Sequence, residues 1–95
     1  MLKLSPEDLQ PLLRSLPGWC VTADGLRKQF HLRSFADAVA AVTRVGFEAE
    51  AVNHHPEVQL NWKRLTFTLA TPGAGGVTQK DVALARRIEA LLQHL

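Results

Sequence analysis

Apolar residues recur along the chain in two rhythms, and the change of rhythm marks the elements. Leu9, Leu12, Leu13 and Leu16 fall at helical spacing behind Ser5, Pro6 and Asp8, which supply a capping hydroxyl, a proline suited to the first helical position and an acid at the third. Pro11 removes one internal hydrogen bond, so a distorted first turn is expected. From Trp19 to Leu32 the period drops to two. Leu26, Phe30 and Leu32 alternate with Arg27, Gln29, His31 and Arg33, and Asp24-Gly25 suits a tight hairpin turn. Lys28 falls on the apolar side of that alternation, as a residue at a sheet edge or a snorkelling side chain does. Ser34 and Asp37 open a long helix in which Phe35, Ala38, Val39, Val42, Val45, Gly46 and Ala49 form the stripe expected to face the core. It should end near Asn53, because the residue before Pro56 is pushed out of helical geometry. Val58 and Leu60, then Leu65, Phe67 and Leu69, resume the alternation as a second strand pair joined near Trp62 and Lys63. "TPGAGG" at 71–76 reads as a mobile loop, and Thr78 with Asp81 caps a last helix carrying Val82, Ala85, Ile88, Leu91, Leu92 and Leu95.

The order helix, two strands, helix, two strands, helix predicts an α+β fold, a four-stranded antiparallel sheet with three helices packed on one face. At 95 residues this is a single domain, 1–95, with any site on the surface of its core or between subunits. The chain is 46% hydrophobic and 21% charged, and no apolar run approaches the ~20 residues of a membrane span, so no membrane partner is expected. The start, "MLKLSPEDLQ", lacks the basic and apolar blocks of a signal peptide, which makes the cytoplasm the expected location. Net charge is +2 with the basic residues scattered, which argues against direct nucleic-acid binding. The single Cys20 cannot form an internal disulfide or a cysteine metal cluster, and it argues against redox chemistry.

Chemistry concentrates in "NHHPE" at 53–57. A metal site needs three or four converging ligands, whereas adjacent residues in extended chain point apart, and neither His31 nor His94 makes a recognisable spacing with the pair. No metal is expected. Two readings of His54 and His55 remain open on the residues alone. They finish a helix, with Asn53 as cap and imidazoles favoured by the C-terminal dipole, or one acts as a general acid or base near neutral pH while the other orients a substrate.

Glu50, then His54-His55-Pro56 after three residues, then Trp62 after five more, and later Asp81, together resemble the pterin-4a-carbinolamine dehydratase family. Flanking strings agree: Gly18-Trp19, "KQFHL" at 28–32, Phe35 with Ala38, and "TRV" at 43–45. The resemblance implies dehydration of a 4a-hydroxytetrahydropterin to the quinonoid dihydropterin in tetrahydropterin recycling, without metal or redox cofactor, by a homodimer or homotetramer. It implies catalysis by His54 and His55, pterin binding by His54 to Pro56 and by the loop Thr71, Pro72, Gly73 and Ala74, and support from Glu50, Trp62 and Asp81. Each supporting residue also has a plain structural reading: Asp81 as the acid of a capping box, Trp62 as core or interface packing, and Glu50 as a solvated acid or as a partner for His54 one turn away. The resemblance departs at Pro72, where active relatives carry a third histidine or a tryptophan. That departure implies an alternative, a noncatalytic paralogue acting as a pterin-binding or protein-interaction module.

Overall fold

The computed structural model describes residues 2–95. In chain order they form α1 (Pro6–Leu13), β1 (Cys20–Thr22), β2 (Gly25–His31), α2 (Phe35–Val52), β3 (Glu57–Asn61), β4 (Arg64–Leu69), a 3₁₀ turn (Pro72–Ala74) and α3 (Gln79–Leu92). Every strand pairing is antiparallel and the spatial order is β1-β2-β4-β3, so α2 carries the chain from β2 past β4 to the far edge. The fold is the expected one, with three helices on a four-stranded antiparallel sheet. Leu26, Leu65, Phe67 and Leu69 of the sheet are buried with Leu9, Leu16, Val45, Val82, Ala85 and Ile88 of the helical layer. The register aligns Arg27, Thr68 and Glu57 in one row across β2, β4 and β3, and Gln29, Thr66 and Gln59 in another, along the opposite, polar face.

Local chemistry accounts for the element ends. Ser5 Oγ accepts the Asp8 amide at 3.1 Å while Asp8 accepts the Ser5 amide at 3.2 Å, and Pro6 occupies the first turn of α1. Pro11 does not distort this helix. Only the Glu7 carbonyl loses a partner, and Glu7 is exposed, where water replaces the bond. The hairpin turn lies one residue earlier than expected, at Ala23-Asp24, because Thr22 pairs with Gly25. Gly25 has φ +136°, and a Cβ there would stand 2.2 Å from the Leu69 carbonyl oxygen, so this residue serves the close strand contact as well as the turn.

Two further expectations are corrected. The buried stripe of α2 is Ala38, Ala41, Val45 and Ala49, whereas Phe35 is 53% and Val39 42% exposed. Small side chains let the helix approach the core closely, and the larger ones turn outward. Residues 71–76 are no open loop: Thr71 and Gly76 form a β-bridge, and Gly75 at φ +75° closes the 3₁₀ turn onto the Pro72 carbonyl at 3.1 Å. Lys28 is accommodated on the apolar face by partners distant in sequence. Its ammonium pairs with Glu89, donates to the Pro17 carbonyl at 2.8 Å and lies 4.6 Å from the Phe30 ring centre, while Trp19 Nε1 donates to the same Glu89 carboxylate at 2.9 Å.

Candidate active site

The site begins with the end of α2. Asn53 adopts a left-handed conformation at φ 51°, its amide reaches the Glu50 carbonyl at 3.2 Å, and the His54 amide reaches back to Ala49 at 3.0 Å. This pair of bonds satisfies the last carbonyls and reverses the chain, and a side chain able to tolerate positive φ is what the position needs. The reversal directs His54 toward the start of α3. Its Nε2–H donates to Asp81 Oδ1 at 2.5 Å, and the imidazole is left 11% exposed.

Asp81 is wholly buried in the first turn of α3. Its second oxygen, Oδ2, accepts the Thr78 amide at 2.8 Å, which completes a capping box, and also the Thr71 hydroxyl at 2.9 Å. Asp81 therefore serves as cap and as histidine partner together, so capping is not its only duty. Through its two oxygens it ties the 54–56 segment to the turn that begins at Thr71. The positive end of the α3 dipole adds to what favours a carboxylate there.

His55 has the opposite surroundings. Its Nε2 contacts the Glu50 carboxylate in the open, with side-chain exposures of 53% and 76%. Glu50 thus partners His55 and not His54, because the turn at Asn53 swings His54 away from the helix face it would otherwise continue. Each of the two imidazoles is backed by a carboxylate.

His54 also lines a cleft of about 280 Å³ with Val52, Lys80, Ala83, Leu84 and Arg87. Arg87 donates to Glu48 at 2.9 Å and holds that carboxyl below its usual range. Lys80 and Arg87 did not stand out in the sequence, although their seven-residue separation on a helix with Asp81 is the signal that would have found them. Thr71 and Pro72 border a second, larger cleft of about 440 Å³, walled by the 3–6 segment and the β1–β2 turn. Gly73 is exposed and Ala74 half-buried in the 3₁₀ turn, and Pro56 is half-buried before β3. Trp62 stands apart from these residues, 67% exposed at the β3–β4 turn with φ 56°, where Lys63 lies 4.5 Å from its ring centre; it is not core packing. His31 and His94 are exposed elsewhere, and among the described residues no three of His, Cys, Asp and Glu converge as a metal site would require.

Comparison with known proteins places the chain in a lineage. The sequence profile described as pterin 4 alpha carbinolamine dehydratase matches residues 2–91. A Roseiflexus sp. protein provisionally named pterin-4-alpha-carbinolamine dehydratase is 41% identical over 90 residues, covering 95% of this chain and 97% of its own. One of the same provisional name from Opitutus terrae is 48% identical over 87 residues, covering 90% of each. The crystal structure of a transcriptional coactivator/pterin dehydratase from Brucella melitensis superposes with a TM-score of 0.91 at 29% identity, over 95% of this chain and 98% of that one. A pterin dehydratase-like protein identified as a RuBisCO assembly factor in the alpha-carboxysome shares the fold, at TM-score 0.65 and 21% identity over 78% of this chain and 86% of that one. The chain belongs to the pterin-4-alpha-carbinolamine dehydratase family.

Proposed function

We propose that the protein dehydrates a 4a-hydroxytetrahydropterin to the quinonoid dihydropterin, with His54 and His55 as its acid–base pair. In this step the 4a-hydroxyl takes a proton and leaves as water, the N5–H proton departs, and the N5 electron pair becomes the new C4a=N5 bond. One acid and one base balance the reaction, and two imidazoles, each able to donate or accept a proton, supply both. The observation that carries the reading is the pairing of His54 with buried Asp81 and of His55 with Glu50. A carboxylate on one ring nitrogen fixes the orientation of the imidazole and leaves the other nitrogen free to exchange a proton. His54, half-enclosed beside the 280 Å³ cleft, acts at the reacting bond, and His55, in the open, exchanges protons with solvent and orients the ring. Pro56 and the turn Thr71 to Ala74 contribute backbone groups to binding, with Glu50 and Asp81 in support. The reading includes a homodimer or homotetramer in the cytoplasm, and the exposed apolar residues of α2 support the assembly.

A second reading has its own observation. Pro72 stands where the family resemblance implies a third histidine, or a tryptophan, in active relatives, and proline offers no side-chain proton. On that reading the fold persists as a noncatalytic pterin-binding or protein-interaction module. Measuring turnover of the carbinolamine beside calorimetric binding of a stable pterin analogue separates the two. Turnover above the uncatalysed rate supports the enzyme, binding alone supports the pterin-binding module, and neither supports a protein partner.

A further inference from the structure

We propose that Thr71 and Thr78 are positioning residues that hold Asp81 oriented toward His54, where its carboxylate makes Nδ1 the ring nitrogen through which His54 exchanges its proton. The dehydratase reading underlies only the kinetic part of this inference. Its basis is the direction of the hydrogen bonds around Asp81. A carboxylate accepts and does not donate, so the 2.9 Å contact between Thr71 Oγ1 and Asp81 Oδ2 uses the one hydroxyl proton Thr71 has. The 2.8 Å contact between the two threonine hydroxyls must then be donated by Thr78, whose oxygen in turn accepts the Lys80 amide at 3.2 Å. Only one direction is consistent along this chain. Thr78 and Asp81 are both fully buried, so water does not offer an alternative partner.

The consequence falls on His54. Oδ2 is occupied by two donors, the Thr71 hydroxyl and the Thr78 amide, which leaves Oδ1 to receive Nε2–H. Nε2 keeps its proton whether the ring is neutral or charged, and the proton that comes and goes is on Nδ1. Nδ1 makes no hydrogen bond to the protein among the described residues. The sequence showed Thr78 only as a helix cap and Thr71 only as part of the loop that the resemblance implies binds pterin. Their joint effect depends on a contact between the end of the sheet and the start of α3.

The test is the tautomer of the neutral His54 ring, read from its nitrogen chemical shifts in ¹⁵N-labelled protein, which needs no turnover. The parent is expected as the Nε2–H form. In Asp81→Asn the two fixed donors hold the amide oxygen on their side and turn the amide NH₂ toward His54, which must accept at Nε2 and carry its proton on Nδ1. Adding Thr71→Val removes one of those donors, so the Nδ1–H signature becomes partial, and adding Thr71→Ser instead keeps it complete. Nε2–H retained in Asp81→Asn, or Val and Ser double variants that cannot be distinguished, would overturn the proposal. If the parent turns over, Thr71→Val alone lowers kcat by up to about a hundredfold with KM nearly unchanged, the loss being one of alignment, and Thr71→Ser restores it. Equal kcat for Val, Ser and parent would contradict the positioning role, while an absence of turnover in the parent would count against the dehydratase reading and leave the tautomer result to decide this one.

Discussion

His54 and His55 are neighbours in sequence with opposite surroundings, and substitution should separate chemistry from stability at each. His54→Ala leaves the buried Asp81 without its histidine donor, so it is expected to destabilise by about 1–3 kcal/mol. His55→Ala breaks an exposed contact and should change stability by less than about 1 kcal/mol. Both should lower turnover by ~10²-fold or more. Thermal melts beside initial rates check the asymmetry, and equal stability losses would contradict the assigned environments. The two histidines were legible in the sequence through their spacing to Glu50 and Pro56. Their partners were not. Helix periodicity put Glu50 on the face of His54, and it is the left-handed Asn53, a single residue, that gives Glu50 to His55 and sends His54 to a residue 27 positions away. Lys28 repeats the lesson, since its misfit on an apolar face was visible but its partner, Glu89, comes from another element.

Among the elements, the end of α2 and the 71–76 turn position the chemistry. Asn53→Gly should keep both fold and activity, whereas Asn53→Val places a β-branched residue at positive φ, costs about 1–2 kcal/mol and lowers turnover by misplacing His54. A melting temperature equal to that of the parent for the valine variant would contradict the proposed role of the turn. Pro72→His introduces an imidazole on a closed 3₁₀ turn at an exposed position, with little loss of stability. Because Pro72 borders a cleft that His54 does not line, any gain in rate should stay below the ~10²-fold of a full acid–base group. A larger gain would mean that the turn faces His54 more directly than the clefts indicate. The capping pairs, the strand alternation and the boundaries of α2 were all readable from local patterns. The inward stripe of α2 was misread because its apolar positions form two adjacent stripes, alanines with Val45 and the bulkier Phe35 with Val39, and only packing distance decides which turns inward.

For the whole molecule, the exposed apolar residues of α2 carry a prediction of their own. Phe35, Val39 and Phe47 are 53%, 42% and 75% exposed on one helix, an apolar burden that assembly would remove from water. Val39→Lys should therefore shift the sedimentation mass from dimer or tetramer toward monomer, and a parent that already sediments as a monomer would contradict the assembly. The fold itself followed from the order of elements because hairpins and a helical crossover leave few ways to cover one sheet face. The site did not, since it forms where the end of α2, the end of the sheet and the start of α3 meet. The most direct test of the functional account is the rate of 4a-hydroxytetrahydropterin dehydration with purified parent and His54→Ala proteins. The account predicts a rate above the uncatalysed one for the parent that falls by ~10²-fold or more in the variant. A parent rate no faster than the uncatalysed reaction, or a folded His54→Ala protein as fast as the parent, would contradict it.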